Sequence, residues 1–125
     1  MSLRGEIYKC ERCGQVIEVL DQAVPSLHCC GVPMEKMEEQ TADASLEKHV
    51  PVLESITDGI RITVGSTPHP MTDDHYIQWI EVINGDYVNR KYLKPGDEPM
   101  AEFYVPKQDR LIIREFCNKH GLWKS

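Results

Sequence analysis

Downstream of Glu47 the chain runs in short stretches of apolar and polar residues closed by turn formers. Gly59-Ile60-Arg61-Ile62-Thr63-Val64-Gly65 alternates apolar and polar side chains, the period of a half-buried strand. Val52-Leu53-Glu54-Ser55-Ile56 is its natural hairpin partner, with a turn at Asp58-Gly59. Tyr76-Ile77-Gln78-Trp79-Ile80-Glu81-Val82-Ile83 is rich in β-branched and aromatic residues, although its apolar spacing also fits a helix. Asn84-Gly85 follows at once, a strong hairpin signal that favours a strand leading to Tyr87-Val88-Asn89-Arg90-Lys91-Tyr92-Leu93. Lys94-Pro95-Gly96-Asp97 suits a type II turn. Ala101 to Val105 and Arg110 to Phe116 complete six or seven short strands with no long helical pattern. That pattern predicts an all-β unit built as an antiparallel β-sandwich.

Residues 1–37 follow a different logic. Gln15 to Leu20 is a short β-prone run flanked by Cys10-Glu11-Arg12-Cys13-Gly14 and Cys29-Cys30-Gly31. A segment under about 40 residues cannot sustain itself on an apolar core and needs a staple. Four thiolates around one metal supply it. Residues 38–46 are polar and lack strand alternation, so they read as a linker with room for a helical turn. The expected organisation is a metal-stapled domain at 1–37, a linker at 38–46 and a β-sandwich domain at 47–125.

Charge and cysteine usage narrow the function classes. The formal net charge is −6, with no cluster of Lys and Arg to bind a phosphate backbone, so nucleic acid is not expected as a partner. An anionic substrate remains compatible, because a local field can oppose the global charge. No run approaches the ~18 apolar residues of a membrane span, and Met1 to Glu6 has no apolar stretch after its one basic residue. A cytoplasmic chain is expected. Its five cysteines are an odd number, which argues for metal ligands or a reactive thiol over a disulfide framework. Four crowd into the first 30 residues and the fifth is Cys117, which suggests two separate tasks.

Tetrahedral sulfur ligation by Cys10, Cys13, Cys29 and Cys30 suits zinc or iron equally. Cys29 and Cys30 are adjacent, whereas a zinc ribbon repeats Cys-x-x-Cys. Adjacent ligands distort the tetrahedron, which has more use in tuning a redox iron than in a structural zinc. The second set is His49, His69, His75, Cys117 and His120. His49 precedes Val50-Pro51 and His69 lies between Pro68 and Pro70, so prolines hold the local backbone. His75 starts the most hydrophobic strand, and Cys117-Asn118-Lys119-His120 is a local chelate spacing. His28 reads as a surface histidine. Zinc sites seldom use five protein ligands. Four imidazoles with one axial thiolate leave a sixth octahedral position open, which suits Fe(II) and a small oxygen species. The thiolate pushes electron density onto the metal, as in cysteine-ligated haem, and release of a protonated peroxide with the O–O bond intact is the expected outcome. Lys48 and Glu47 immediately precede His49. An ammonium there attracts an anion, and the carboxylate can close the site or organise water for proton delivery; a solvated charge pair is the plain alternative.

Together these motifs resemble the desulfoferrodoxins, the two-iron class of superoxide reductase, over essentially the whole chain. The resemblance rests on Cys10-x-x-Cys13 with Cys29-Cys30, Glu47-Lys48-His49-Val50-Pro51, His69-Pro70-Met71, His75-Tyr76-Ile77-Gln78-Trp79-Ile80 and Cys117-Asn118-Lys119-His120-Gly121. It implies a desulforedoxin-like domain with a distorted Fe(Cys)4 centre, then an immunoglobulin-like sandwich with an Fe(His)4(Cys) centre. It also implies a homodimer and one-electron reduction of superoxide to hydrogen peroxide without dioxygen production. Electrons would come from rubredoxin or a similar donor. Lys48 would guide superoxide and assist protonation, and Glu47 would bind the oxidised iron after peroxide leaves. Two other classes compete: a zinc-ribbon interaction module, which would be colourless, and a pure electron carrier with two irons. Neither needs an open coordination position.

Overall fold

The structure, a computed structural model, describes residues 3–23, 27–41, 49–65 and 69–125. It is all-β, with no helix among the described residues. The chain splits into two compact units, Met1–Glu38 and Glu39–Ser125. Most of the expected linker, from Ala42 onward, lies outside the described residues, and so do Glu47 and Lys48.

In the first unit, β1 (Ile7–Lys9), β2 (Val16–Glu18) and β5 (Glu35–Lys36) pair antiparallel in the order β2-β1-β5. Between them, β3 (His28–Cys29) pairs with β4 (Val32–Pro33). Among the described residues only Ile7 and Cys10 are buried hydrophobics here. Two such side chains fall short of a self-supporting core, as the segment's length implies.

The second unit carries β6 (Pro51–Ile56), β7 (Gly59–Val64), β8 (Ile77–Asn84), β9 (Tyr87–Tyr92), β10 (Met100–Phe103), β11 (Ile112–Cys117) and β12 (Gly121–Lys124). They form two antiparallel sheets, β10-β7-β6 and β12-β11-β8-β9. One core joins them: Ile60, Ile62 and Val64 from β7, Ala101 and Phe103 from β10, Ile80 and Val82 from β8, and Ile113 from β11. Each fully buried isoleucine contributes about 2–3 kcal/mol relative to exposure. β7 alternates half-buried and buried along its length, matching its sequence period.

The turns differ from expectation in detail. Ile56 pairs with Gly59, so the first hairpin turns at Thr57-Asp58 and Gly59 already belongs to a strand. Gly59 is required for space: a Cβ there would sit 2.0 Å from the Phe103 carbonyl oxygen. Asn84 pairs with Tyr87, which moves the second turn to Gly85-Asp86, with Gly85 at φ +61°. The Pro95-Gly96 turn forms as the sequence suggests, with Asp97 N–H donating to Lys94 O at 3.0 Å and Gly96 at φ +93°. β12 has no counterpart in the sequence reading, because four residues carry too little periodicity to show.

β8 resolves its own ambiguity. Ile77 and Ile80 both enter the core, three residues apart, which is why the stretch also fits a helix. The cause is a bulge: Phe116 pairs with Trp79 but Cys117 pairs with Ile77, so Gln78 has no partner on β11. One extra residue reverses the side-chain alternation at that point. On the outer face of the same sheet, Glu81 is fully buried between its cross-strand neighbours Arg90 and Arg114.

Two candidate metal centres

The first cluster is made by a knuckle and a tight hairpin. Cys10 follows β1 and its carbonyl accepts the Gly14 N–H at 2.8 Å, with Gly14 at φ +80°. That closes Cys10 to Cys13 into a loop whose amides face sulfur. Cys29 ends β3, and Cys30-Gly31 forms the two-residue turn into β4. Both turn residues have positive φ, +55° and +75°, the requirement of a type I′ turn. Cysteine in the left-handed region costs about 1–2 kcal/mol. Adjacent cysteines can therefore serve one centre, because the turn aims the second sulfur back beside the first. Cys13 Sγ lies 3.5 Å from Cys29 Sγ, and Cys29 Sγ lies 3.9 Å from Cys30 Sγ. Two sulfurs at about 2.3 Å from one tetrahedral metal stand ~3.8 Å apart, so the donor set fits such an ion.

The thiols respond to their crowding. The Cys13 backbone N–H lowers Cys10 to about 7. Hydrogen bonding with the neighbouring Cys13 and Cys10 sulfurs pushes Cys29 up to about 12. Four thiols this close cannot all ionise without a cation among them, and a bound metal removes that conflict.

The second cluster draws on four places. His49 precedes β6, and His69 lies between β7 and β8. His75 sits just before β8, closing a turn by a bridge to Thr72, so the strand starts two residues after it. Cys117 ends β11, and His120 closes the three-residue loop into β12. Their donor atoms all lie within 4.8 Å of one another. The four imidazoles form a closed ring, each edge-on to two neighbours. Centroid separations are 4.7 Å for His49–His69, 4.8 Å for His69–His75, 5.0 Å for His75–His120 and 4.8 Å for His49–His120. His49 Nε2 and His120 Nδ1 are 3.0 Å apart, the ~3.0 Å separation of two nitrogens at right angles around a metal with bonds of about 2.1 Å. Cys117 Sγ is 3.8 Å from the same His120 nitrogen.

Surrounding groups orient these donors. His69 Nδ1 lies 2.7 Å from the Pro70 carbonyl, which places the proton on Nδ1 and leaves Nε2 for a metal. Trp123 stacks on His49, centroids 4.6 Å apart and planes within 12°. Trp123 Nε1 donates to the His120 carbonyl at 3.1 Å, and Gln40 Nε2 donates to the same oxygen at 2.7 Å. Sequence reasoning missed Trp123 and Gln40, since one lies on the unforeseen β12 and the other in the stretch read as linker. His49 and His69 are 1% and 3% exposed while His120 is exposed, so the cluster reaches the surface on the His120 side. Three further points complete the placement. His28 belongs to neither cluster. The Asp74 carboxyl beside His75 is held below its usual range, first by the Thr72 hydroxyl and then by the Lys119 charge. Glu47 and Lys48 lie outside the described residues.

Comparison with known proteins turns this geometry into a lineage. The family described as "Desulfoferrodoxin" matches residues 41–125, and "Desulfoferrodoxin, N-terminal domain" matches residues 2–37. The chain belongs to the desulfoferrodoxin family. The desulfoferrodoxin of Nitratidesulfovibrio vulgaris is 50% identical over 120 residues, covering 96% of this chain and 94% of that protein. A desulfoferrodoxin homolog from Archaeoglobus fulgidus is 52% identical over 120 residues, covering 96% and 95%. Among solved structures, a superoxide reductase from Treponema pallidum superposes with TM-score 0.77 at 27% identity, covering 96% of each chain. The superoxide reductase (neelaredoxin) from Archaeoglobus fulgidus superposes with TM-score 0.55 at 30% identity, covering 70% of this chain and 94% of that one. The four-cysteine and four-histidine-one-cysteine clusters match the two iron centres of the desulfoferrodoxins.

Proposed function

We propose that this chain is a superoxide reductase, which adds one electron and two protons to superoxide to give hydrogen peroxide and forms no dioxygen. Five convergent donors carry the assignment. A tetrahedral zinc site is complete with four ligands, whereas His49, His69, His75, His120 and Cys117 offer four nitrogens and a sulfur. An octahedral metal held by them keeps one open position, which suits ferrous iron. Ferrous iron, when bound there, supplies the single electron that superoxide takes up. The superoxide reductases of Treponema and Archaeoglobus share this fold, which supports the same reading.

The chain's own residues do the rest. The Cys117 thiolate adds negative charge beside the metal and so favours electron donation. Lys48, one residue before His49, provides a local positive field that draws a small anion against the net charge of −6. Glu47 organises water for delivery of the two protons and closes the open position between turnovers. Cys10, Cys13, Cys29 and Cys30 would hold the other iron, which would supply one-electron redox chemistry, with rubredoxin or a similar small carrier as donor. The working form is a homodimer, as the family resemblance implies.

Metal analysis with visible spectra before and after oxidation tests the assignment. Two irons are expected, one with tetrahedral ferric-thiolate bands and one that gains a thiolate-to-iron band on oxidation. Stoichiometric zinc in the second cluster would overturn it. Dioxygen evolved during superoxide consumption would make the protein a dismutase instead.

A further inference from the structure

Five ligands from four separate stretches need something to hold them in register. His75 lies outside the strands. It lies in the turn from Pro70 to Tyr76, where the Thr72 N–H donates to His75 O at 2.9 Å and the His75 N–H donates to Thr72 O at 3.3 Å. The ladder between β8 and β11 ends at Ile77 and Cys117, so no strand pairing reaches the turn.

Asn118 takes over where the ladder stops. Its Oδ1 accepts the Tyr76 N–H at 2.9 Å, and its Nδ2 donates to the Asp74 carbonyl at 3.0 Å. Its own backbone N–H donates to the Tyr76 carbonyl at 3.2 Å. Asp74 and Tyr76 are the two neighbours of His75, and Asn118 is the neighbour of Cys117. One carboxamide therefore grips the peptide on both sides of an imidazole while attached to the residue after the thiolate. Its two bonds use one donor and one acceptor, which an amide offers together and a carboxylate or an aliphatic group does not. The Lys119–Asp74 ion pair spans the same two loops, but at 3.8 Å with side chains 51% and 82% exposed. Pairs so exposed contribute little.

We propose that Asn118 is a positioning residue whose carboxamide fixes His75 relative to Cys117 and thereby tunes how tightly the second centre holds its metal. The proposal rests on the ligand set given under Proposed function. Losing a group that orients a ligand typically costs 10–100-fold in metal affinity.

The test uses the full chain, stripped and then titrated with Fe(II) against a competing chelator, with the four-cysteine centre as internal reference. Asn118→Ala is expected to weaken iron binding at the second centre by about 10–100-fold and to shift its thiolate-to-iron band, leaving the four-cysteine bands in place. Asn118→Asp keeps the acceptor and loses the donor, so it should fall between Ala and the parent; it also decides the matter if Ala folds poorly. Lys119→Ala should match the parent. In the metal-free chain the Tyr76 amide should exchange faster in Asn118→Ala. Parent-like affinity, band position and Tyr76 exchange in Asn118→Ala and Asn118→Asp would overturn the proposal. A parent chain that takes no iron in the second centre would instead overturn the reductase reading. Tyr76 exchange would then still decide whether Asn118 holds the turn.

Discussion

Two charge clusters on opposite sheets give a controlled comparison of burial. Glu81 Oε1 accepts Arg90 Nε at 2.9 Å and Nη2 at 2.5 Å, and its Oε2 accepts Arg114 Nε at 2.7 Å and is ion-paired with Arg114 Nη2 at 2.5 Å. The Glu81 and Arg114 side chains are 0% and 4% exposed. Arg61 makes the same kind of cross-strand cluster with Glu54 and Glu102, but its side chain is 39% exposed. Glu81→Gln turns an NH2 toward a guanidinium and leaves buried positive charge uncompensated. Breaking a buried pair costs about 3–5 kcal/mol. Arg114 keeps Glu39 at 3.3 Å, so the lower end applies, about 3 kcal/mol. For a unit of this size that lowers the melting temperature by roughly 12–24 °C. Both tryptophans, Trp79 and Trp123, lie in the second unit, so their fluorescence reports its unfolding alone. Arg61→Gln should leave the midpoint unchanged, because water replaces the lost partners. Equal shifts for the two variants, or a loss under about 1 kcal/mol for Glu81→Gln, would refute this use of burial to rank the clusters.

The site and the fold offer three more tests. Cys117→Ser should abolish the thiolate-to-iron band and superoxide reduction together while the four-cysteine bands persist; retained activity would remove the thiolate from the mechanism. Lys48→Ile should slow the reaction with superoxide and flatten its salt dependence with iron still bound, and an unchanged rate at low salt would make Lys48 a bystander. Gly59→Ala should destabilise the second unit by about 1–3 kcal/mol, because the added methyl meets a backbone oxygen that cannot swing away. Chemical denaturation followed by fluorescence measures it, and a neutral effect would mean β7 and β10 can part locally.

What the sequence reveals depends on how local each cause is. Donor side chains stand out because metal ligation depends on residue type, and Cys10, Cys13, Cys29, Cys30 and the His49-to-His120 set converge as two groups. β7 stands out because its alternation is a property of its own six residues. Gln40 and Asn118 do not stand out. Gln40 acts on a carbonyl 80 residues away and Asn118 on an amide 42 residues away. A glutamine in a polar stretch and an asparagine between two ligands carry no mark of either contact.

The bulge at Gln78 shows how a distant partner overrules local period in a direction that energetics can explain. A regular ladder would place Gln78 opposite Cys117, facing the core, and turn Ile77 to the outer face. The bulge instead keeps Gln78 half-buried and seats Ile77 with no exposed surface. Burying Ile77 is worth about 2–3 kcal/mol, and keeping an unpartnered amide out of the core avoids about 1–3 kcal/mol. Against these stands one lost ladder bond, about 1 kcal/mol, so the bulge is the stable register. Its consequence reaches the metal centre. With one residue looped out, Ile77 shares the face of Cys117, and the turn that carries His75 ends two residues before it. The choice between an isoleucine and a glutamine in the core thus sets which residue of β8 lies beside Cys117 where the turn carrying His75 meets the strand.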